Sequence, residues 1–322
     1  MKLEEHLRQN WNTYFPLRGE PRNVFFTIVK SNKKNMVFVF EEDSIFPVCV
    51  VKIANHLTGK KLSNNFFALK KLEDLNLPIL KDVYPQPYFF GQIDNCEAMI
   101  QDFIKGQRMG KFVKSIKNPF WKISFTSNFF LINNWLMEFH KQTKQNVKPI
   151  NKTNFTQLLY PIKNKLRNHQ EIMNNLSFFL RDVEGKLLFN VFQHGDLHID
   201  NIIIKKEQAI SLIDWDLSIV EGLPLWDLLN FSIFYTRITI SGNTRSGLLN
   251  YLNATFIDNN NISKIVAAVL SKYIKYLGMD PQVAKFIFLL WLCNEFNDFQ
   301  MLKYAFTNCE RFPLFIKLLQ QE

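Results

Sequence analysis

The polar octad His194–Gly195–Asp196–Leu197–His198–Ile199–Asp200–Asn201 interrupts an otherwise apolar stretch, and it limits what this chain can become. Leu187–Phe192 precedes it as a strand-like run. Ile202–Lys205, the turn Lys206–Gln208 and Ile210–Ile213 follow it as a predicted hairpin. A hairpin returns the chain to its starting point, so Asp214 is expected beside Asn201. One short loop then presents the Asp196 carboxylate and the Asn201 amide, and a second carboxylate arrives from the hairpin. Hard oxygen donors of this kind suit magnesium, which keeps several waters and takes few protein ligands. A loop carboxylate outside that pair is placed to take a proton. Four fixed residues in the pattern H-G-D-x4-N arise by chance in about 1 in 500 chains of this length, so coincidence is a poor account of them.

The remainder reads as a small β-rich part followed by a larger helical part. Val24–Lys30, Met36–Phe40 and Val48–Ile53 are rich in β-branched and aromatic residues and are separated by turn-like segments. Leu62, Phe66, Leu69 and Leu72 then fall at near-helical spacing, with Ser63 as the expected N-cap of a helix over 63–75. Prolines at 78, 85 and 87 break that pattern before a strand pair, Tyr88–Gln92 and Ala98–Phe103. Beyond Lys105–Gly106 the spacing of Phe129, Ile132, Trp135, Leu136 and Phe139 predicts an amphipathic helix ending near His140. Residues 156–182 and most of the chain after Trp226 also read as helical. The expected class is α+β, divided into residues 1–104 and 105–322.

Composition excludes several alternatives. Hydrophobic residues make up 47% of 322 positions, with 32 phenylalanines, too many for a disordered chain. The longest apolar run, Phe286–Cys293, is far below the roughly 20 residues that span a bilayer, so no transmembrane segment is expected. The opening MKLEEHLRQNW has acidic residues where a signal peptide has an apolar core, so a cytoplasmic protein is expected. Four scattered cysteines form neither a C-x-x-C pair nor a disulfide framework. A formal charge of +10 suits an anionic partner such as a nucleotide, but the lysines are dispersed, and no stable nucleic-acid partner is expected from charge alone.

The five-residue step from Asp196 to Asn201, with Asp214 after a hairpin, matches the spacing of the protein-kinase signature. Gly195 stands for the arginine of H-R-D, and Asp214–Trp215–Asp216 for D-F-G. HGDLHIDN…IDWD resembles the aminoglycoside phosphotransferase and choline kinase family, a kinase-like fold acting on small molecules. Three further segments are similar to that family: Ile100–Gly106 to its hinge, Trp135–His140 to its lobe helix, and Pro224–Leu228 to the segment behind its metal site. The resemblance implies a bilobal kinase-like fold, ATP and Mg2+ as cofactors, and a hydroxyl on a small molecule as acceptor. It implies Asp196 as base, Asn201 and Asp214 as magnesium ligands, and Lys52 as the residue binding the α/β-phosphates. Gln101 and Phe103 would line the adenine site at the hinge, and His194 and Asp227 would support the loop.

Two features depart from the family. The strand lysine usually pairs with a glutamate on the following helix, where this chain has Asn65; the helix glutamate, Glu73, comes two turns later. No glycine-rich loop covers the phosphates; 18–23 and Ser31–Asn35 compete for that place, and the latter fits better because two strands follow it directly. A catalytically weak nucleotide-binding or scaffold protein of the same fold is therefore the alternative reading.

Overall fold

The computed structural model describes residues 2–19, 21, 23–30, 34–54, 59–151, 166, 169–205, 209–241, 248–296 and 299–319. Contacts divide the chain into two compact units, Met1–Met109 with Asp200–Ser218, and Gly110–Ile199 with Ile219–Glu322. The class is α+β, as the sequence predicts, with a β-rich N-terminal part and a helical C-terminal part.

In the first unit, β1 (Val24–Lys30), β2 (Lys34–Glu41), β3 (Cys49–Ala54), β4 (Pro87–Ile93) and β5 (Cys96–Asp102) form an antiparallel sheet in the order β1-β2-β3-β5-β4. Side chains alternate across a strand, and Val37, Val39, Cys49, Val51, Ala98 and Ile100 all fall on one face. Helix α1 (Leu3–Tyr14) covers that face with Leu7, Trp11 and Tyr14, spaced as one helical stripe. Each such side chain contributes about 1.5–3 kcal/mol by leaving water. Alternation sends Lys52, Met99 and Gln101 to the opposite face.

Helix α2 (Gly59–Leu75) packs against β3, β4 and β5. Its Phe66 and Phe67 rings lie on Phe90, the register partner of Met99, so α2 sits on the Lys52 face. The helix begins four residues before the predicted Ser63 cap. The Ser63 hydroxyl instead donates to the Lys60 carbonyl within the first turns.

A second, small sheet completes this unit. Here β9 (Ile202–Ile204) pairs with β10 (Ile210–Leu212) on one side and with β6 (Gln107–Arg108) on the other. Close approach at the entry to β6 requires glycine: a Cβ on Gly106, at φ +151°, would lie 2.4 Å from Ile203 Cγ2 and 2.7 Å from the Ile204 carbonyl.

The second unit holds a three-stranded sheet, β7 (Gln145–Pro149), β8 (Leu187–Gln193) and β11 (Ile219–Gly222), in the order β11-β8-β7. Its helices are α3 (Trp121–Gln142), α4 (Gln170–Val183), α5 (Trp226–Ser241), α6 (Leu248–Leu252), α7 (Asn261–Tyr276), α8 (Pro281–Glu295), α9 (Phe299–Asn308) and α10 (Pro313–Leu319). Helix α3 starts at Trp121, earlier than the spacing around Phe129 suggested, because Phe125 extends the same buried stripe one turn back. The apolar run Phe286–Cys293 lies in α8, buried on every side within this unit. Asp280 starts α8 by accepting from the backbone of Gln282 and Val283, with Pro281 at the first helical position.

Of the predicted helix over 156–182, the part from Gln170 onward is helical; 156–165 and 167–168 lie outside the described residues, as do Ser31–Lys33 of the favoured phosphate loop. Among the described residues no helix is long and apolar enough to cross a membrane.

Candidate active site

In the first unit Lys52 is carried by β3 in a cross-strand row with Met36 and Met99. It is 4% exposed, so its ammonium needs a partner. That partner is Asp214, whose Oδ1 lies 3.1 Å from Nζ. The β9–β10 hairpin delivers Asp214: Ile213 N donates to the Asn201 carbonyl at 3.0 Å, so Asn201 and Asp214 flank one backbone pair. Trp215 fastens the turn, fully buried with its indole N–H on the Leu212 carbonyl at 3.1 Å. The hairpin is itself held at Asp82, whose carbonyl accepts from the Ser211 hydroxyl and the Lys205 ammonium.

Asp214 has φ +67°, a left-handed conformation that costs a non-glycine residue energy. Glycine would adopt it freely but would remove the carboxylate.

Gln101 follows Met99 on the same face and is buried, with an Oε1 that has no hydrogen-bond partner among the described residues. Strand pairing ends at Asp102, and the Phe103 ring then meets Phe38 edge-on at 6.2 Å. Phe38 alternates with the α1-facing Val37 and Val39, so this aromatic pair lies on the Lys52 face. Lys52, Gln101, Phe103, Asn201 and Asp214 thus belong to one unit.

Neither helix candidate meets Lys52 as an ion pair. Glu73 binds Lys70 and Gln86. Asn65 lies in the buried stripe of α2 at 1% exposure, with neither amide atom partnered among the described residues.

Asp196 belongs to the second unit, on the loop leaving β8. Gly195 turns that loop at φ +83°, which suits glycine. Asp227, in the first turn of α5, accepts from His194 N at 2.7 Å and Gly195 N at 2.9 Å. Asp196 N in turn lies 3.3 Å from His194 Nδ1. The support role implied for His194 and Asp227 thus has a concrete geometry, a carboxylate clamped on two consecutive amides. The Asp196 carboxylate remains partly exposed and lies 3.5 Å from His198 Nε2.

Behind the clamp is a buried layer. His140 of α3 is fully enclosed, with Nε2 3.8 Å from Asp227 Oδ2 and Nδ1 2.5 Å from the Tyr273 hydroxyl. The Tyr273 oxygen also accepts from Leu225 N at 3.1 Å, so the tyrosine ties the imidazole to the segment that leads into α5. Burial drives the His140 pKa down to about 3, partly offset by the Phe192 backbone. Burial likewise raises Asp227 to about 7, against the pull of its two backbone donors. Sequence reasoning missed Tyr273, because a tyrosine in the apolar stripe of a helix reads as core.

The donor chemistry of the hairpin fits a magnesium ion. Asn201 and Asp214 offer an amide and a carboxylate oxygen at adjacent positions. Among the described residues no group of three or more His, Cys, Asp or Glu side chains could hold a metal alone. A cation here would complete its shell with phosphate and water oxygens.

A profile of the Ecdysteroid kinase-like family matches residues 102–262, half of the chain, which spans Asp196, Asn201, Asp214 and Asp227. No curated protein sequence matches. Among solved structures the chain is similar to an aminoglycoside phosphotransferase, APH(3'')-Id, of Streptomyces rimosus at 10% identity, covering 91% of this chain and 99% of that one, with a TM-score of 0.49. It is also similar to an ethanolamine kinase of Plasmodium vivax at 14% identity, covering 98% and 89%, with a TM-score of 0.46. A choline kinase of Streptococcus pneumoniae is 15% identical, with coverage of 98% and 100% and a TM-score of 0.40.

Proposed function

Because the chain belongs to the ecdysteroid kinase-like family, we propose that it transfers the γ-phosphate of ATP to a hydroxyl of a small molecule. The observation that carries this reading is the Lys52–Asp214 pair, formed where the hairpin also brings Asn201. In the proposal residues 1–104 supply Lys52, Gln101 and Phe103 for the nucleotide, and residues 105–322 supply Asp196, Asn201 and Asp214. Acceptor classes include antibiotics, amino alcohols and sugars, to which the family's name adds ecdysteroids.

Lys52 binds the α/β-phosphates, and Gln101 and Phe103 hold the base. Asn201 and Asp214 ligate Mg2+, which neutralises phosphate charge when bound. Asp196 orients the acceptor hydroxyl and takes its proton as the new O–P bond forms and the β,γ-bridging bond breaks, leaving ADP. The Asp227 clamp holds Asp196 in place.

Thermal-shift titration with ATP and magnesium tests the reading. Wild type is expected to be stabilised only when both are present, and Asp214→Ala to lose the effect. Asp196→Asn is expected to keep nucleotide binding and lose phosphate transfer. Absence of any magnesium-dependent stabilisation of wild type would sink the proposal. The buried Asn65 in place of a helix carboxylate favours a second reading, a nucleotide-binding protein with weak or no turnover. That reading predicts stabilisation by nucleotide without ATP consumption across an acceptor panel.

A further inference from the structure

We propose that the segment Phe112–Ser124 of the second unit, a loop running into the first turn of α3, docks the protein onto an anionic membrane surface. The inference stands apart from the phosphotransferase reading and uses none of its site residues.

Charge along the sequence is the first observation. Between Asp102 and Glu138 there is no acidic residue, yet Lys105, Arg108, Lys111, Lys114, Lys117 and Lys122 all fall in that interval. In the segment itself Lys114, Lys117 and Lys122 are exposed, and none forms an ion pair among the described residues.

The second observation is what stands between the lysines. Phe112 is 39% exposed, Ile116 44%, Phe120 66% and Ile123 67%. Isolated exposed apolar residues are ordinary, but four large ones on one short segment, three on the loop and Ile123 in the first turn of α3, are not.

Third, the loop is built to hold them out. The Ser124 hydroxyl donates to the Phe112 carbonyl at 3.0 Å and closes the loop at its base. Asn118 organises the tip, its Oδ1 accepting from Phe120 N at 2.9 Å and its carbonyl from Trp121 N at 3.0 Å. Ile116 N donates to the Thr239 carbonyl at 2.8 Å, which fastens the middle to the end of α5. Phe125, just beyond, is buried and stacked on Phe129 at 4.5 Å. Anchored this way, the loop keeps its apolar side chains in solvent.

Lysines interleaved with large apolar residues match the interface of an anionic bilayer. The apolar side chains enter the acyl boundary, and the lysine stems reach back to the headgroups. Other partners fit less well. A nucleic acid would use the charges and could stack on the phenylalanines, but Ile116 and Ile123 have no aromatic face to offer a base. A second copy docked by two-fold symmetry would bring both sets of lysines together.

Co-sedimentation of the full chain tests the proposal, with vesicles of phosphatidylcholine alone and of phosphatidylcholine mixed with phosphatidylserine. Wild type is expected to pellet with the mixed vesicles and to be released by salt. Phe120→Ser with Ile123→Ser should weaken binding by roughly tenfold or more. Lys114→Gln with Lys117→Gln should cost about tenfold on the mixed vesicles and little on phosphatidylcholine. Unchanged melting temperature and circular dichroism show that the variants fold. Wild type remaining in the supernatant with both vesicles overturns the proposal, as does binding that survives the Phe120/Ile123 double variant. Dimerisation in solution abolished by that variant, or RNA binding without vesicle binding, also overturns it by identifying another partner.

Discussion

Lys52 Nζ and Asp214 Oδ1 lie 3.1 Å apart although 162 residues separate them in sequence. The lysine side chain is 6% exposed and the aspartate 29%, so the pair is enclosed on one side only. Asp214→Ala strands an enclosed ammonium. The expected loss in urea denaturation is about 2–3 kcal/mol, below the roughly 3–5 kcal/mol for fully buried pairs because Asp214 keeps water. Lys52→Met combined with Asp214→Asn should recover part of that loss, since no unpaired charge remains. A double variant as unstable as Asp214→Ala alone would show that the pair is not what Asp214 contributes.

The buried layer behind the loop predicts a pH dependence with two opposed parts. Asp227 titrates near 7 when folded and near 3.8 when unfolded, so its contribution is present at low pH and is lost as pH rises through about 7. His140 titrates near 3 when folded and near 6.5 when unfolded, so its contribution is present above 6.5 and is lost as pH falls toward 3. Between these limits the slopes oppose each other, and little net dependence from this layer is expected in wild type. His140→Gln should expose the Asp227 slope, giving stability that declines as pH rises from about 4 to 7. Urea midpoints across that range are the measurement, and a rising trend in His140→Gln contradicts the assignment.

At Gly106 both backbone and space oppose a side chain. Gly106→Ala is expected to cost about 2–3 kcal/mol, by pushing β6 away from β9 and forcing alanine to a positive φ. The same change at Gly185, where nothing lies within 4 Å, should cost less because only its φ of +81° resists. Equal losses at the two positions would mean that the β6–β9 approach is softer than it looks.

Asn65→Leu should stabilise the protein. Both amide atoms are buried without partners among the described residues, a burden of about 1–3 kcal/mol per group, and leucine continues the stripe of Leu62, Leu69 and Leu72. A rise of a few degrees in the melting temperature is expected. A fall instead would reveal a bridging water that leucine displaces.

Much of the first unit was legible in the sequence because its strands are short runs of β-branched and aromatic residues bounded by turn-like segments. Val24–Lys30 appears as β1 unaltered, and the other four strands differ from expectation by a residue or two at their ends. The octad was legible for the opposite reason, since polar residues between apolar strands have few structural excuses. What escaped depends on contacts distant in sequence. The ion-pair partner of Lys52 was sought one helix away and lies on the hairpin. The His140–Tyr273 contact joins α3 to α7 and leaves no periodic trace. Strands β6, β7 and β11 are short or exposed, and without alternation they look like loop.

Residues 200–218 pack with the first unit, although one whole stretch of the second, Gly110–Ile199, lies between them and residue 109. On a ribosome the five-stranded sheet and its two helices can therefore form early, but β6 waits without its neighbour and Lys52 without Asp214. They are completed only when the hairpin emerges, about ninety residues later, which at roughly 5–20 residues per second is a delay of several seconds. During that interval the nascent chain carries an uncompensated ammonium and an open strand edge, so chaperone demand should be greatest before Ser218 is made. For the same reason a fragment ending at Met109 would retain the sheet and lack the hairpin, and would be a poor surrogate for the whole.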